Sequence, residues 1–273
     1  MIVPRDRVTL VGILNTTPDS FSDGGRFADA EAAVARGREL ATQGAHVVDV
    51  GGESTRPGAR EVPAEVEIGR TRPVVAALAA TGIPVSVDTR KAAVAEAALA
   101  AGAAAVNDVS GGRHDPKLLE VTAAAGAALI LGHLRGEPAD MQDAVAFDDV
   151  LAEVTDELGA SLERARRAGV DELVADPGIG FGKHAAHNLA LLAGLARLKQ
   201  ALGVPVLVGV SRKSFLGQLT GSPVEDRDLE SHAAAAVAVF AGADAVRVHD
   251  VAGAARAVAV AGALRGAAGN AAP

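Results

Sequence analysis

Short runs of Val, Ile and Leu alternate with longer Ala-rich stretches along the whole chain, and this alternation constrains the fold more than any other feature. The runs are typical of buried parallel strands, and the stretches have the spacing of helices. Eight strands are predicted, at Val8–Leu14, His46–Val50, Pro84–Asp88, Ala104–Asp108, Ala127–Gly132, Glu172–Asp176, Val204–Val210 and Ala243–Val248. Eight helices are predicted, at Asp29–Gln43, Pro63–Ala80, Lys91–Ala101, Lys117–Ala125, Val150–Ala168, His187–Leu202, Ser231–Ala241 and Val251–Leu264.

Eight strand–helix units in about 250 residues predict a single α/β domain with the (β/α)8 TIM barrel fold. The competing fold, a doubly wound open sheet, is disfavoured because no GxGxxG motif follows the first strand and no linker divides the chain. We expect the barrel to occupy residues 1–265. Residues 266–273, GAAGNAAP, lack apolar periodicity and are predicted to form a disordered tail.

The composition excludes several classes of function. The 273 residues include no cysteine, which rules out disulfides, a thiolate nucleophile and metal sites built on sulfur. The net charge of −8 argues against a general nucleic-acid partner. The N-terminus has no apolar leader, and the longest uninterrupted apolar runs are shorter than the roughly 20 residues of a membrane span. We therefore expect a cytoplasmic protein with no membrane partner.

Polar residues follow almost every predicted strand at its carboxyl end. They are Asn15, Asp49, Glu53, Thr55, Arg56, Asp88, Asn107, Asp108, His133, Arg135, Asp176, Ser211, Arg212, Lys213, Arg247 and His249. In a barrel these ends converge on one mouth. A charged group aimed into a barrel is costly unless it is paired or offered to a ligand. One such residue could belong to a structural ion pair, but a series on eight strands favours a binding site.

The polar residues differ in chemistry from one part of the mouth to the other. Asp88, Asn107 and Asp176 suit a flat, neutral ring that carries several N–H donors. Lys213, Arg247 and His249 suit an anion such as a phosphate. The predicted ligand is therefore a nitrogen-rich ring joined to a phosphate group.

The loops after the first two strands, residues 15–25 and 51–58, are long and rich in Gly, Pro, Ser, Thr and Asp. Loops of this kind in a compact domain are commonly binding elements. The alternative is a plain surface loop, but such a loop does not require Phe21 or Arg56. We therefore predict that both loops contribute to the site.

Eight motifs in this order resemble those of the dihydropteroate synthase family. They are NTTPDSFSDGG, DVGGESTRPG, SVDT, VNDVSGG, HLRG, DPGIGFGK, GVSRKSFLG and RVHDV, and they extend from about Val8 to Val251. The resemblance implies a transferase of folate biosynthesis that joins 6-hydroxymethyl-7,8-dihydropterin diphosphate to p-aminobenzoate, forming 7,8-dihydropteroate and diphosphate. It also implies Mg²⁺ as a cofactor and a homodimer.

The resemblance further implies roles for individual residues. The residues implied to hold or line the pterin are Asp88, Asn107, Val109, Leu134, Asp176, Phe181, Gly209 and Lys213. Those implied on the p-aminobenzoate side are Phe21, Arg56, Pro57, Ser211 and Lys213. Arg247 would pack on the pterin face and bind diphosphate with His249, Thr55 would contact the diphosphate, and Asn15 would contact Mg²⁺. The implied catalytic groups are Arg56, Lys213, Arg247 and His249.

Two departures from the family pattern are present, and two other functions stay open. Leu134 replaces the usual Met of the HxRG motif, a nearly volume-conserving change. Glu230-Ser231-His232 stands where the family commonly has a small Gly-Thr or Gly-Ser pair before the last helix, which affects the local helix start but no motif residue. The alternatives are a methyltransferase that moves a methyl group from methyltetrahydrofolate to a corrinoid, and an inactive pterin-binding paralogue.

Overall fold

The computed structural model describes residues 1–4, 6–17, 25–56, 58–143 and 145–270. All eight predicted strands are confirmed within a residue or two, except that the seventh is shorter. The strands are β1 Thr9–Asn15, β2 Val47–Gly51, β3 Val85–Asp88, β4 Ala105–Asp108, β5 Ala128–Gly132, β6 Leu173–Asp176, β7 Leu207–Gly209 and β8 Ala245–Val248.

The strands form one parallel sheet that closes into a barrel. Their order is β6-β5-β4-β3-β2-β1-β8-β7, so that β8 pairs with β1. A parallel bridge between Ala175 and Val206 joins β6 to the segment before β7, and the Ala175 amide donates to Pro205 at 2.9 Å. The predicted TIM barrel is therefore confirmed, and all eight carboxyl ends lie at one face.

Alternating side chains divide the apolar core into two layers. Inside the barrel, Val11, Val47, Ile130, Leu207 and Ala245 are among the members of a small cluster that Val3 joins from below. The alternate strand residues pack outward against the helices in a much larger cluster. This division follows from the two-residue period of a strand, and it leaves the inward positions at the carboxyl ends for polar groups.

The helices agree less closely with the prediction than the strands do. They are α1 Gly25–Thr42, α2 Ala64–Ala79, α3 Ala92–Ala100, α4 Lys117–Ala124, α5 Val150–Arg167, α6 Ala185–Ala193, α7 Leu195–Leu202, α8 Ser214–Thr220, α9 Asp228–Phe240 and α10 Val251–Asn270. The single helix predicted over His187–Leu202 is wrong, because α6 ends where Gly194 packs against Leu151 of α5. The short helix α8 was not predicted. The last helix continues past Leu264, while the disorder predicted for the tail stays a prediction.

The last helix bears on the expectation that no apolar segment is long enough to span a membrane, which was based on uninterrupted apolar runs. Its window Val251–Ala268 is long and apolar enough, by length and composition, to cross a membrane. One face of this helix is nevertheless a barrel contact, because Val251, Ala254, Val258 and Ala261 are buried. Arg265 donates to the carbonyl oxygens of Val239 and Ala243, which ties the far end to the adjacent α9 region. The helix is the outer helix of the eighth barrel unit, and 22% of the window is buried.

Candidate active site

Arg247 lies at the centre of the barrel mouth, between two carboxylates. Its Nε donates to Asp49 at 2.6 Å and its second terminal nitrogen donates to Asp88 at 2.6 Å. Burial alone would lower the pKa of Arg247, but the two carboxylates outweigh it and raise that pKa. The guanidinium is therefore charged and held in one orientation by partners from β2 and β3.

Asp49 organises this centre, a role that the sequence does not indicate. Its side chain is fully buried and also accepts hydrogen bonds from Ser86 at 2.6 Å and from the Asn107 amide at 3.1 Å. Three strands are thus joined to Arg247 through one carboxylate. The position of Asp49 one residue before the end of a predicted strand was the only signal, and its partners could not be read from it.

Asp88 has one oxygen with a partner and one without. Oδ2 accepts from Arg247, whereas the buried Oδ1 has no hydrogen-bond partner among the residues that the structure describes. Burial raises the pKa of Asp88 to about 7, although Arg247 acts in the opposite direction. A buried acceptor without a donor is costly, so Oδ1 is a group that a ligand N–H would satisfy.

Asp176 ends β6 and Lys213 follows β7, and the charge of each acts on the other. Asp176 accepts from the Gly178 amide at 2.8 Å, and burial raises its pKa. Lys213 donates to the carbonyl oxygen of Ile179 and lies 4.5 Å above the centre of the Phe181 ring. Burial lowers the pKa of Lys213 to about 8, although Asp176 opposes that shift. The predicted pterin residues Asp176, Phe181 and Lys213 are therefore neighbours.

Apolar and small residues adjoin these charges. Val109 and Leu134 are buried immediately after β4 and β5. A β-carbon on Gly209 would lie 3.8 Å from both the Arg247 β-carbon and the Lys213 ammonium nitrogen. Gly209 therefore lies beside both Arg247 and Lys213, and a larger side chain there would occupy the space next to them.

His249 and Ser211 lie on the side of the mouth that the sequence analysis assigned to an anion. The Ser211 hydroxyl is 3.0 Å from His249 Nδ1 and accepts from the His249 backbone amide at 3.2 Å. Burial, with the charges of Arg247, Arg212 and Arg56, lowers the pKa of His249 to about 3. The ring is therefore neutral and can take part in binding through hydrogen bonds, unlike the cations Lys213 and Arg247 with which the sequence groups it.

The remaining predicted residues lie on the first two loops or beside them. Thr55 is half-buried and Arg56 is exposed, and the Arg56 charge is close enough to act on His249. Phe21 and Pro57 lie outside the described residues.

The metal expectation depends on Asn15 at the end of β1. Its Oδ1 would lie 3.9 Å from a β-carbon placed on Gly51, so the side chain faces the adjacent strand end. Within the described ranges no group of three or more His, Asp or Glu side chains could hold a metal ion. A single amide oxygen nevertheless fits Mg²⁺, which keeps several waters and takes other ligands from a substrate phosphate.

Comparison with known proteins places the chain among proteins that bind pterins. The sequence profile of the family "Pterin binding enzyme" matches residues 11–249. The dihydropteroate synthase of Mycobacterium leprae is 49% identical over 253 residues, which is 89% of this chain and 89% of that protein.

Solved structures agree with the sequence comparison. Xanthomonas albilineans dihydropteroate synthase with 4-aminobenzoic acid superposes with a TM-score of 0.88 at 47% identity, covering 98% of this chain and 95% of that chain. The same enzyme in complex with 7,8-dihydropteroate gives a TM-score of 0.84 at 43% identity, again covering 98% of this chain and 95% of that chain.

Proposed function

Since the chain belongs to the pterin-binding enzyme family, and within it to the dihydropteroate synthases, we propose that it joins 6-hydroxymethyl-7,8-dihydropterin diphosphate to p-aminobenzoate. The products are 7,8-dihydropteroate and diphosphate. A relative of known structure binds 4-aminobenzoic acid, and the same enzyme binds 7,8-dihydropteroate. We also propose a cytoplasmic location, supported by the absence of cysteine, which leaves no disulfide to require an oxidising compartment.

The arrangement around Asp88 carries this proposal. Its unpartnered Oδ1 is an acceptor for a pterin N–H. Its Oδ2 accepts a hydrogen bond from Arg247 and so holds the guanidinium in place. Asn107 and Asp176 supply further polar groups, and the Phe181 ring supplies an apolar contact. These groups bind the nitrogen-rich ring of the ligand. The cations Arg247 and Lys213, together with His249, bind the attached diphosphate.

The reaction is a substitution at the methylene carbon attached to the pterin ring. The bond from this carbon to the bridging diphosphate oxygen breaks, and a bond to the aniline nitrogen forms. The diphosphate keeps the electron pair, and the nitrogen loses one proton to solvent. An aniline amine is already neutral at pH 7, so the chain needs no strong general base.

The chain's own charges act on both ends of the breaking bond. Arg247 and Lys213 stabilise the negative charge that develops on the leaving diphosphate, and His249 contributes a hydrogen bond. Asp88 and Asp176 favour the positive charge that develops on the pterin methylene. Because these groups are fixed by hydrogen bonds before substrate arrives, little reorganisation is required during the reaction.

We propose Mg²⁺ as the cofactor, with Asn15 as its protein contact. When bound, it would add positive charge beside the diphosphate. The remaining ligands would be diphosphate oxygens and water, in keeping with the single amide at the end of β1.

Incubating the purified protein with the pterin diphosphate, p-aminobenzoate and Mg²⁺ tests the proposal. We expect 7,8-dihydropteroate and diphosphate in equal amounts, and a large loss of rate when Mg²⁺ is replaced by a chelator. Folded protein that binds the pterin diphosphate and forms no product would be an inactive paralogue. Methyl transfer from methyltetrahydrofolate to a corrinoid would instead identify the methyltransferase.

We propose a homodimer that covers the exposed apolar side chains of α9 and α10. These side chains are Leu229, Val237, Phe240, Val260 and Leu264, each more than half exposed in one chain. Large apolar side chains that are exposed on two adjacent helices support an interface at this surface.

Light scattering on the wild-type protein should give the mass of two chains. Phe240→Glu should give one chain, because a buried unpaired charge disfavours association. Leu219→Glu is the control, since Leu219 is equally exposed but lies on α8. A monomeric wild-type protein at micromolar concentration would contradict the dimer.

A further inference from the structure

A buried ion cluster next to the mouth has no part in the proposed reaction. It consists of Glu53, Glu67, Arg90 and Lys91, which are all nine-tenths or more buried. Glu53 follows β2, Arg90 and Lys91 follow β3, and Glu67 lies on α2. The cluster therefore connects the loop after β2 with the chain segment that begins at Asp88.

Lys91 is the centre of the cluster. Its ammonium donates to Glu53 at 2.5 Å, to Glu67 at 2.8 Å and to the carbonyl oxygen of Val62 at 2.8 Å. Burial alone would lower the pKa of Lys91, but the two carboxylates outweigh it and raise that pKa. The ammonium thus stays charged and uses all three of its N–H groups on fixed partners.

Two of these partners, Glu53 and Val62, lie at the two ends of one loop. Glu53 begins the segment 53–62 and Val62 ends it, and the Val62 amide also donates to Glu53 at 2.8 Å. Both ends of the loop therefore meet at the Lys91 ammonium. Between them lie Thr55 and Arg56, and the other described residues of 54–60 are largely exposed.

Arg90 adds a second connection to the same loop. It bonds Glu53 at 3.3 Å and Glu137, on the loop after β5, at 2.5 Å. The Gly58 amide donates to the carbonyl oxygen of Pro138 beside it, at 2.9 Å. The segment 53–62 is thus held at both ends and at one point near its middle.

Stability alone is a poor reason for this cluster. Buried ion pairs contribute little compared with apolar side chains of the same volume, because each charge loses its hydration. The cluster is also incompletely satisfied, since Arg90 Nε and Glu67 Oε1 have no hydrogen-bond partner in the described part of the chain. What the cluster does supply is a fixed position for the ends of one loop.

We propose that Lys91 and Glu53 are positioning residues that hold the segment 53–62 so that Arg56 meets p-aminobenzoate. This inference rests on the proposed function. Neither residue touches substrate, since both act through the loop backbone. Most groups assigned to the pterin diphosphate lie at other strand ends, with Asp88 of β3 as the exception, so the larger effect is expected on p-aminobenzoate.

The two carboxylates on Lys91 form a matched pair for the test. Glu53 and Glu67 both lose an ion pair with Lys91 when changed to glutamine, but only Glu53 belongs to the loop. We expect Glu53→Gln to raise KM for p-aminobenzoate roughly tenfold, since a small displacement of a positioning element has effects of this order. Its dissociation constant for the pterin diphosphate should stay within about twofold of wild type.

Glu67→Gln is expected to lower the melting temperature while both substrate constants stay near wild type. Equal changes in KM for p-aminobenzoate in the two variants, or no change in Glu53→Gln, would overturn the proposal. Failure of the wild-type protein to form dihydropteroate would instead overturn the proposed function.

Lys91→Arg keeps the test valid if Glu53→Gln does not fold. The guanidinium keeps the charge but changes the geometry at Val62 and Glu53. KM for p-aminobenzoate should rise while the dissociation constant of the pterin diphosphate does not. A parallel change in both constants would contradict the proposed role.

Discussion

Arg247→Ala is expected to lower turnover by roughly 10²-fold or more, because it removes a preorganised positive charge from the leaving diphosphate. It should also lower the free energy of unfolding by about 3–5 kcal/mol, since it leaves buried carboxylates without their partner. Those carboxylates are Asp49 and Asp88, which lie 2.6 Å from the guanidinium. Turnover is measured by dihydropteroate formation, and stability by denaturant unfolding.

The two effects can be separated with a second substitution. Asp88→Asn in the Arg247→Ala background removes one of the stranded charges, so stability should recover in part while turnover stays low. Lys199→Ala is the control, because Lys199 also pairs with a carboxylate, Asp244 at 2.6 Å, but at the amino-terminal face of the barrel. A folded Arg247→Ala protein with turnover within tenfold of wild type would contradict the assigned role of Arg247.

The inward direction of Arg247 was predictable from the sequence, whereas its partner Asp49 was not. Residues that alternate along β8 must point to opposite faces, so the apolar Val246 and Val248 leave Arg247 facing inward. The bond to Asp49 joins residues 198 positions apart, and several acidic strand ends were equally eligible by sequence. Strand period therefore determines direction, but the choice of partner depends on the stagger of the closed barrel.

Helix ends and loop anchors were harder to predict for related reasons. The break between α6 and α7 lies at Gly194, where Leu151 of another helix approaches closely. A contact between distant helices cannot be predicted from local helix propensity. Likewise, Lys91 follows β3 as other site residues follow their strands, yet its ammonium is directed to Glu53, Glu67 and Val62. A run of residues after a strand can reach the mouth or a neighbouring loop, and only packing decides between them.

Gly178→Ala is expected to abolish most pterin binding, although it adds only one methyl group. Gly178 has φ of +65°, and a β-carbon there would overlap the carbonyl oxygen of His133 and lie 2.8 Å from its carbonyl carbon. Both contacts are backbone atoms, so the loop after β6 must move as a unit. That loop contains Ile179 and Phe181, which contact Lys213.

A displacement of this size should weaken binding of the pterin diphosphate by roughly 10²-fold, the effect expected of about 1 Å of misplacement. The loop is also held by Lys183, whose ammonium donates to the carbonyl oxygens of Gly178 at 3.0 Å and Phe181 at 2.9 Å. Movement of Gly178 strains those bonds as well. We therefore expect the free energy of unfolding to fall by more than about 4 kcal/mol, or the variant to be insoluble.

Gly203→Ala is the control for Gly178→Ala. It carries the cost of a left-handed backbone conformation without the contact with His133. Gly203 has a nearly equal φ of +67°, and a β-carbon there would meet nothing within 4 Å among the described residues. Its substitution should lower stability by only about 1–2 kcal/mol, the cost of a left-handed conformation for an L-residue, and leave pterin affinity unchanged. Equal losses of stability in the two variants would mean that backbone conformation alone limits these positions. Normal pterin affinity in Gly178→Ala would mean that the loop after β6 does not form the pterin pocket.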